Sequence, residues 1–227
     1  MNEITKKNLE NVSENLTKSY LENLAFRALM QFNPFTAIID LSISSKYSEI
    51  LISRNTKFFT ELQSGDIEYS HDVIESNDFL HCFFISYNAA MRAKKDEKIS
   101  MFAKILKRES KNHNIDTDEF EEVTQIIEDI SYREFLILSK IYDLEKQNPL
   151  GEEPEDNDFI RSLRFWTLLE NYMSETLNIP IVEQEAILVR LARTGLYITF
   201  RGLYMTDTAG IGKTTKLFER IIYILNQ

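Results

Sequence analysis

The chain has 227 residues, 43% of them hydrophobic, with 15 Phe, 10 Tyr, one Cys and a formal net charge of −10. That apolar content suffices for one large domain or two small ones with buried cores, and six Gly and four Pro are too few for the turns of an all-β fold. A single Cys excludes an internal disulfide framework and any multi-cysteine zinc site.

In chain order, Leu9, Val12, Leu16, Tyr20 and Leu24 recur at steps of three and four and predict an amphipathic helix ending near Asn33-Pro34. No apolar signal core follows Met1, and Pro34 to Ile43 is too short and too polar to match the ~20 apolar residues of a bilayer span, so a cytoplasmic protein with no membrane span is expected. A second helix is predicted from Pro34 to about Ser44 and a third from Tyr47 to Leu62. Ser76-Asn77-Asp78 offers caps for a core helix from Phe79 to Ala93. Within it, Cys82 reads as a small buried hydrophobe beside His81. His71 and Asp72, with Glu68 and Glu75, read as a solvated acidic face, so no metal and no cofactor is expected.

Another helix follows Asp96-Glu97-Lys98, and Asp116-Thr117-Asp118-Glu119 opens the next. Ser131-Tyr132-Arg133-Glu134 is a capping box ahead of Phe135-Leu136-Ile137-Leu138. Residues 148–158 hold two prolines, one glycine and five carboxylates and form an acidic loop. Helices are then predicted from Phe159 to Leu177 and from Ile181 to Arg193, the latter closed by Thr194-Gly195. Leu196 to Phe200 and Leu203 to Thr206, joined at Arg201-Gly202, read as a hairpin, and Thr215 to Leu225 as a final helix. The fold class is mostly α: a helical bundle over 1–130, then a winged-helix-like module over 131–227 with one β-hairpin.

Asp207 to Thr215 comes within one glycine of the phosphate-cradling motif G-x-x-x-x-G-K-[ST]. Asp207 stands where the first glycine would permit the turn, and its carboxylate would face the phosphates. The segment therefore reads as a structural turn, with Gly210 and Gly212 leaving open an anion contact through backbone amides.

Leu188-Val189-Arg190-Leu191-Ala192-Arg193-Thr194-Gly195-Leu196, with Tyr204-Met205-Thr206 and Gly210, is similar to the L-x-R-L-x-x-x-G-L … Y-x-[LM]-T-x-x-G ending of many small bacterial winged-helix proteins. Together with the helices around Glu97 to Leu106 and Ile130 to Leu138, the layout resembles the abortive-infection alpha group of bacterial proteins linked to phage defence. The resemblance covers roughly the last ~130 residues and implies a role in defence or its regulation, without naming an active site.

Two chemical alternatives stand beside it. Arg108 and His113 have the R-x4-H spacing of a class of all-helical ribonucleases; on an unbroken helix the two side chains lie about 140° apart, so they converge only where the helix ends or bends. Arg190, Arg193, Arg201, Lys213 and Lys216 are the basic set with which a winged helix would hold DNA. From Ile181 onward six basic residues meet four acidic ones, a balance of +2 that leaves −12 on the first 180 residues. Glu183 and Glu185 occupy the start of the recognition helix, the end that would enter the groove, and oppose that use. The expectation is a non-enzymatic interaction protein, an accessory of a phage-defence or toxin-type system. Its expected partner is a protein, nucleic acid is a second possibility through the C-terminal module, and homo-oligomerisation is open.

Overall fold

The computed structural model describes residues 34–64, 71–109, 116–153, 156–200 and 210–226, with backbone alone for 34–45, 71 and 72. The helix predicted before Pro34 lies outside them. The chain divides into two compact units, Met1–Lys107 and Arg108–Gln227. The helix opened by Asp116 falls in the second of these units.

In the first unit, α1 spans Pro34–Gln63 as one 30-residue helix, where the sequence reading expects two. No Gly or Pro occurs between Phe35 and Ser64, so nothing interrupts the i→i−4 ladder around Ser45. Pro34 opens it at the position where a missing N–H costs nothing. After the single turn α2 (His71–Ile74), α3 runs Asn77–Arg92, with the Ser76 side chain accepting from the Phe79 amide at 3.2 Å. Phe58, Phe59, Phe83 and Tyr87 of α1 and α3 form an aromatic cluster with centroids 5.5 to 6.3 Å apart, a spacing that favours edge-to-face and offset contacts. The Tyr87 hydroxyl donates to Asn55 Oδ1 at 2.6 Å, which satisfies its buried polar end. Cys82 is fully buried, as its sequence context predicts, while His81 is exposed. α4 follows at Asp96–Glu109.

In the second unit, α5 (Thr117–Asp129) starts at the Asp116 cap and α6 (Tyr132–Gln147) at Ser131. The capping box is complete: the Ser131 amide donates to Glu134 Oε2 at 2.8 Å, and the Glu134 amide to Ser131 Oγ at 3.2 Å. α7 (Asp158–Asn171) passes into a π-helical turn, Tyr172–Thr176. α8 spans Ile181–Ala192, and Gly195, at φ +74°, lets the chain leave it. β1 (Tyr197–Thr199) and β2 (Gly212–Thr214) pair antiparallel, with Tyr197 opposite Thr214 and Thr199 opposite Gly212. α9 (Lys216–Leu225) closes the unit.

The hairpin differs from its prediction. The partner of β1 is Gly212–Thr214, and the expected second strand, Leu203 to Thr206, lies outside the described residues. Helices α6 to α8, the hairpin and α9 still occur in the order that a winged-helix-like reading requires. The core holds Ile137, Leu138 and Ile141 of α6, Phe165 of α7, Leu191 of α8 and Phe218 and Ile221 of α9, each stabilising by roughly 1.5–3 kcal/mol through burial. No helix among the described residues is long and apolar enough to cross a membrane.

Candidate functional site

The glycine-rich segment owes its shape to packing. Gly210 has φ +89°, a left-handed conformation that glycine adopts without strain. A Cβ on Gly212 would meet the Ile198 carbonyl at 2.0 Å and the Tyr197 ring at 2.7 Å, so only glycine lets β2 lie against β1. The Tyr197 hydroxyl then donates to the Gly210 carbonyl at 2.7 Å. From Gly210 onward, where the described residues resume, the segment predicted as a turn is a turn followed by a strand.

The polar groups of that strand are already engaged. Thr214 donates its amide at 2.9 Å to Glu145 Oε1, and its hydroxyl bonds the other carboxylate oxygen. Lys213 pairs with Asp158, which also holds Arg161 at 2.8 Å. The Ser162 hydroxyl donates to the Gly212 carbonyl at 2.9 Å. An amide and a lysine that a phosphate would need therefore serve carboxylates, an arrangement that repels an anion. Burial raises the Glu145 carboxyl above the usual carboxylate range, against the two bonds from Thr214 and the nearby Arg161 charge. Burial, then the Glu145 charge, also lifts the Tyr197 hydroxyl well above its ordinary value.

Glu145 was not singled out in the sequence, and Glu134 only as a capping-box residue, yet a signal for their burial exists. Glu134, Leu138, Ile141 and Glu145 follow one another at steps of four, three and four, so both carboxylates lie on the apolar stripe of α6 and must be buried. A buried carboxylate requires partners, and basic or hydroxyl residues supply them here.

Two of the residues predicted to hold DNA have acidic partners within the fold. Lys213 is tied to Asp158, and Arg190 Nε donates to the buried Glu134 at 2.8 Å. Arg193 caps the end of α8 and Lys216 begins α9, both exposed; Arg201 lies outside the described residues. The leading end of α8 presents Ile181 and Val182, 74% and 89% exposed, beside exposed Glu183 and Glu185. Inward, Gln184 anchors the helix through a 2.8 Å bond to Ser174 Oγ, with Ile187, Leu188 and Leu191 buried behind it.

Arg108 stacks over the Tyr223 ring at 5.1 Å, a cation–π contact, and His113 lies outside the described residues. Of the acidic face expected near His71, Glu68 lies outside them too. Among the described residues no three His, Cys, Asp or Glu side chains are grouped so as to hold a metal ion. No protein-family model, curated protein or solved structure matches the chain.

Proposed function

We propose that this chain is a non-enzymatic interaction protein, an accessory or regulatory component of a bacterial phage-defence or toxin-type system, whose winged-helix-like module docks protein and not DNA. The observation that carries the docking reading is the leading end of α8. A helix that enters the major groove presents polar and basic side chains there, whereas this one presents Ile181, Val182, Glu183 and Glu185 to solvent. Exposed aliphatic side chains beside carboxylates suit a protein surface and oppose a phosphate backbone. The placement in a defence system rests on the resemblance of the 188–210 segment and the flanking helices to the abortive-infection alpha group.

A salt series on random and host-derived duplexes, joined to affinity purification from the native host, tests this reading. Expected are no DNA binding at physiological salt and a stoichiometric protein partner encoded by a defence locus, lost when Ala186 is replaced by Arg. Steeply salt-dependent DNA binding overturns the docking reading. Degradation of RNA by the purified chain, abolished by His113→Ala, overturns the non-enzymatic one.

A further inference from the structure

We infer that the outward face of α8 is a self-association surface, on which a second copy of this chain packs its own α8 antiparallel to the first. The inference rests on the reading of this module as protein-docking and names the partner. Gln184, Ile187, Leu188 and Leu191 point inward, so the 3.6-residue period places Val182, Ala186, Val189 and Arg193 along the middle of the opposite face. Their steps of four, three and four are those of a helix–helix seam, and its three apolar members are small or β-branched, allowing close approach.

Charge selects the occupant. Glu183 and Arg190 stand one heptad apart on the same flank of the seam. In an antiparallel pair related by a two-fold axis, equivalent flanks face each other, so Glu183 of each copy meets Arg190 of the other, and the contact occurs twice. The same register sets Ala186 opposite Val189, a small residue against a larger one, and Val182 against the aliphatic stem of Arg193. A parallel pair would instead bring Arg193 against Arg193 within the seam. Glu134 takes the Nε of Arg190, and the side chain remains 59% exposed, which leaves its guanidinium accessible to a second carboxylate. One short helix pair buries little area, so the dimer belongs to the weak, concentration-dependent class.

Sedimentation velocity of the full chain across the micromolar range, at an ionic strength of about 0.15 M, tests this. The expected result is a reversible monomer–dimer equilibrium whose dissociation constant rises by about tenfold or more in Ala186→Arg and in Glu183→Arg. Both positions are exposed, so circular dichroism and the thermal midpoint should match those of the parent. Arg190→Glu should also be monomeric alone, since it sets Glu183 against a second carboxylate; mixed with Glu183→Arg it should restore a dimer, both cross-copy pairs then being complementary. If Arg190→Glu fails to fold without its Glu134 contact, Ala186→Arg and Glu183→Arg decide the matter. A parent chain that stays monomeric, or a dimer indifferent to Ala186→Arg, overturns the inference. If such a monomer also binds no DNA, the docking reading survives without self-association; steeply salt-dependent duplex binding overturns both.

Discussion

Thr214 gives both its backbone amide and its hydroxyl to the buried carboxylate of Glu145, fastening the second strand of the hairpin to α6. Replacing Glu145 by Ala strands a buried amide and a buried hydroxyl and leaves Arg161 with Asp158 alone. The expected loss is about 2–4 kcal/mol, read from urea unfolding midpoints. Glu145→Gln keeps an acceptor for the amide and should lose less than half as much. Equal losses in the two variants would show that the geometry matters less than the charge.

The same carboxylate predicts a pH dependence. Its folded-state pKa lies above the unfolded value because burial penalises the charged form. Its contribution to stability is thus fully present below the unfolded carboxylate range and is lost as pH rises through the higher folded value. Unfolding free energies of the parent and Glu145→Gln, compared between acidic and neutral pH, should diverge: the parent gains on the variant as pH falls through that window. A constant difference would place Glu145 at an ordinary pKa.

Gly212→Ala should cost more than about 3 kcal/mol or prevent folding, since a Cβ there collides with backbone and with the Tyr197 ring. Lys213→Ala should cost under about 1 kcal/mol, its pair with Asp158 being partly exposed. A nucleotide-binding loop would show the reverse pattern, a folded Lys213→Ala protein that has lost measurable ATP or GTP affinity. Fluorescent-nucleotide titration of the parent should therefore show no saturable binding.

Ser131→Ala removes one arm of the capping box and leaves the Glu134 amide without its side-chain acceptor. The expected cost is about 1 kcal/mol, seen as a lower thermal midpoint with unchanged helical signal at low temperature. Glu134→Ala should cost more, because that residue caps the Ser131 amide and also holds Arg190.

The helix starts at Ser76, Asp116 and Ser131 were legible because capping is local: a side-chain oxygen meets an amide three residues on, and sequence spacing suffices to see it. The break expected within α1 was a loss of apolar rhythm mistaken for a stop, with no residue there to cause one. The second strand was misplaced for a different reason. Leu203 to Thr206 carries strand-forming side chains, whereas Gly212-Lys213-Thr214 looks like a loop; its extended state depends on Glu145 and Ser162, 69 and 50 positions upstream. The face of α8 proposed for docking was half visible. Glu183 and Glu185 can be read in the sequence as an argument against DNA, but which apolar residues of the helix point outward is decided by Gln184 and its partners on the preceding turn.

Thr215 donates its amide to the Leu196 carbonyl at 3.1 Å and its hydroxyl to the Gly195 carbonyl at 2.8 Å, while the Phe200 amide reaches the Ile211 carbonyl at 2.8 Å. The excursion from the end of α8 to the start of α9 is therefore cinched at its neck, and again where the strands part. The bonds of this clasp run between Gly195, Leu196, Phe200, Ile211 and Thr215, so a chain nicked between Phe200 and Gly210 would keep every one of their partners.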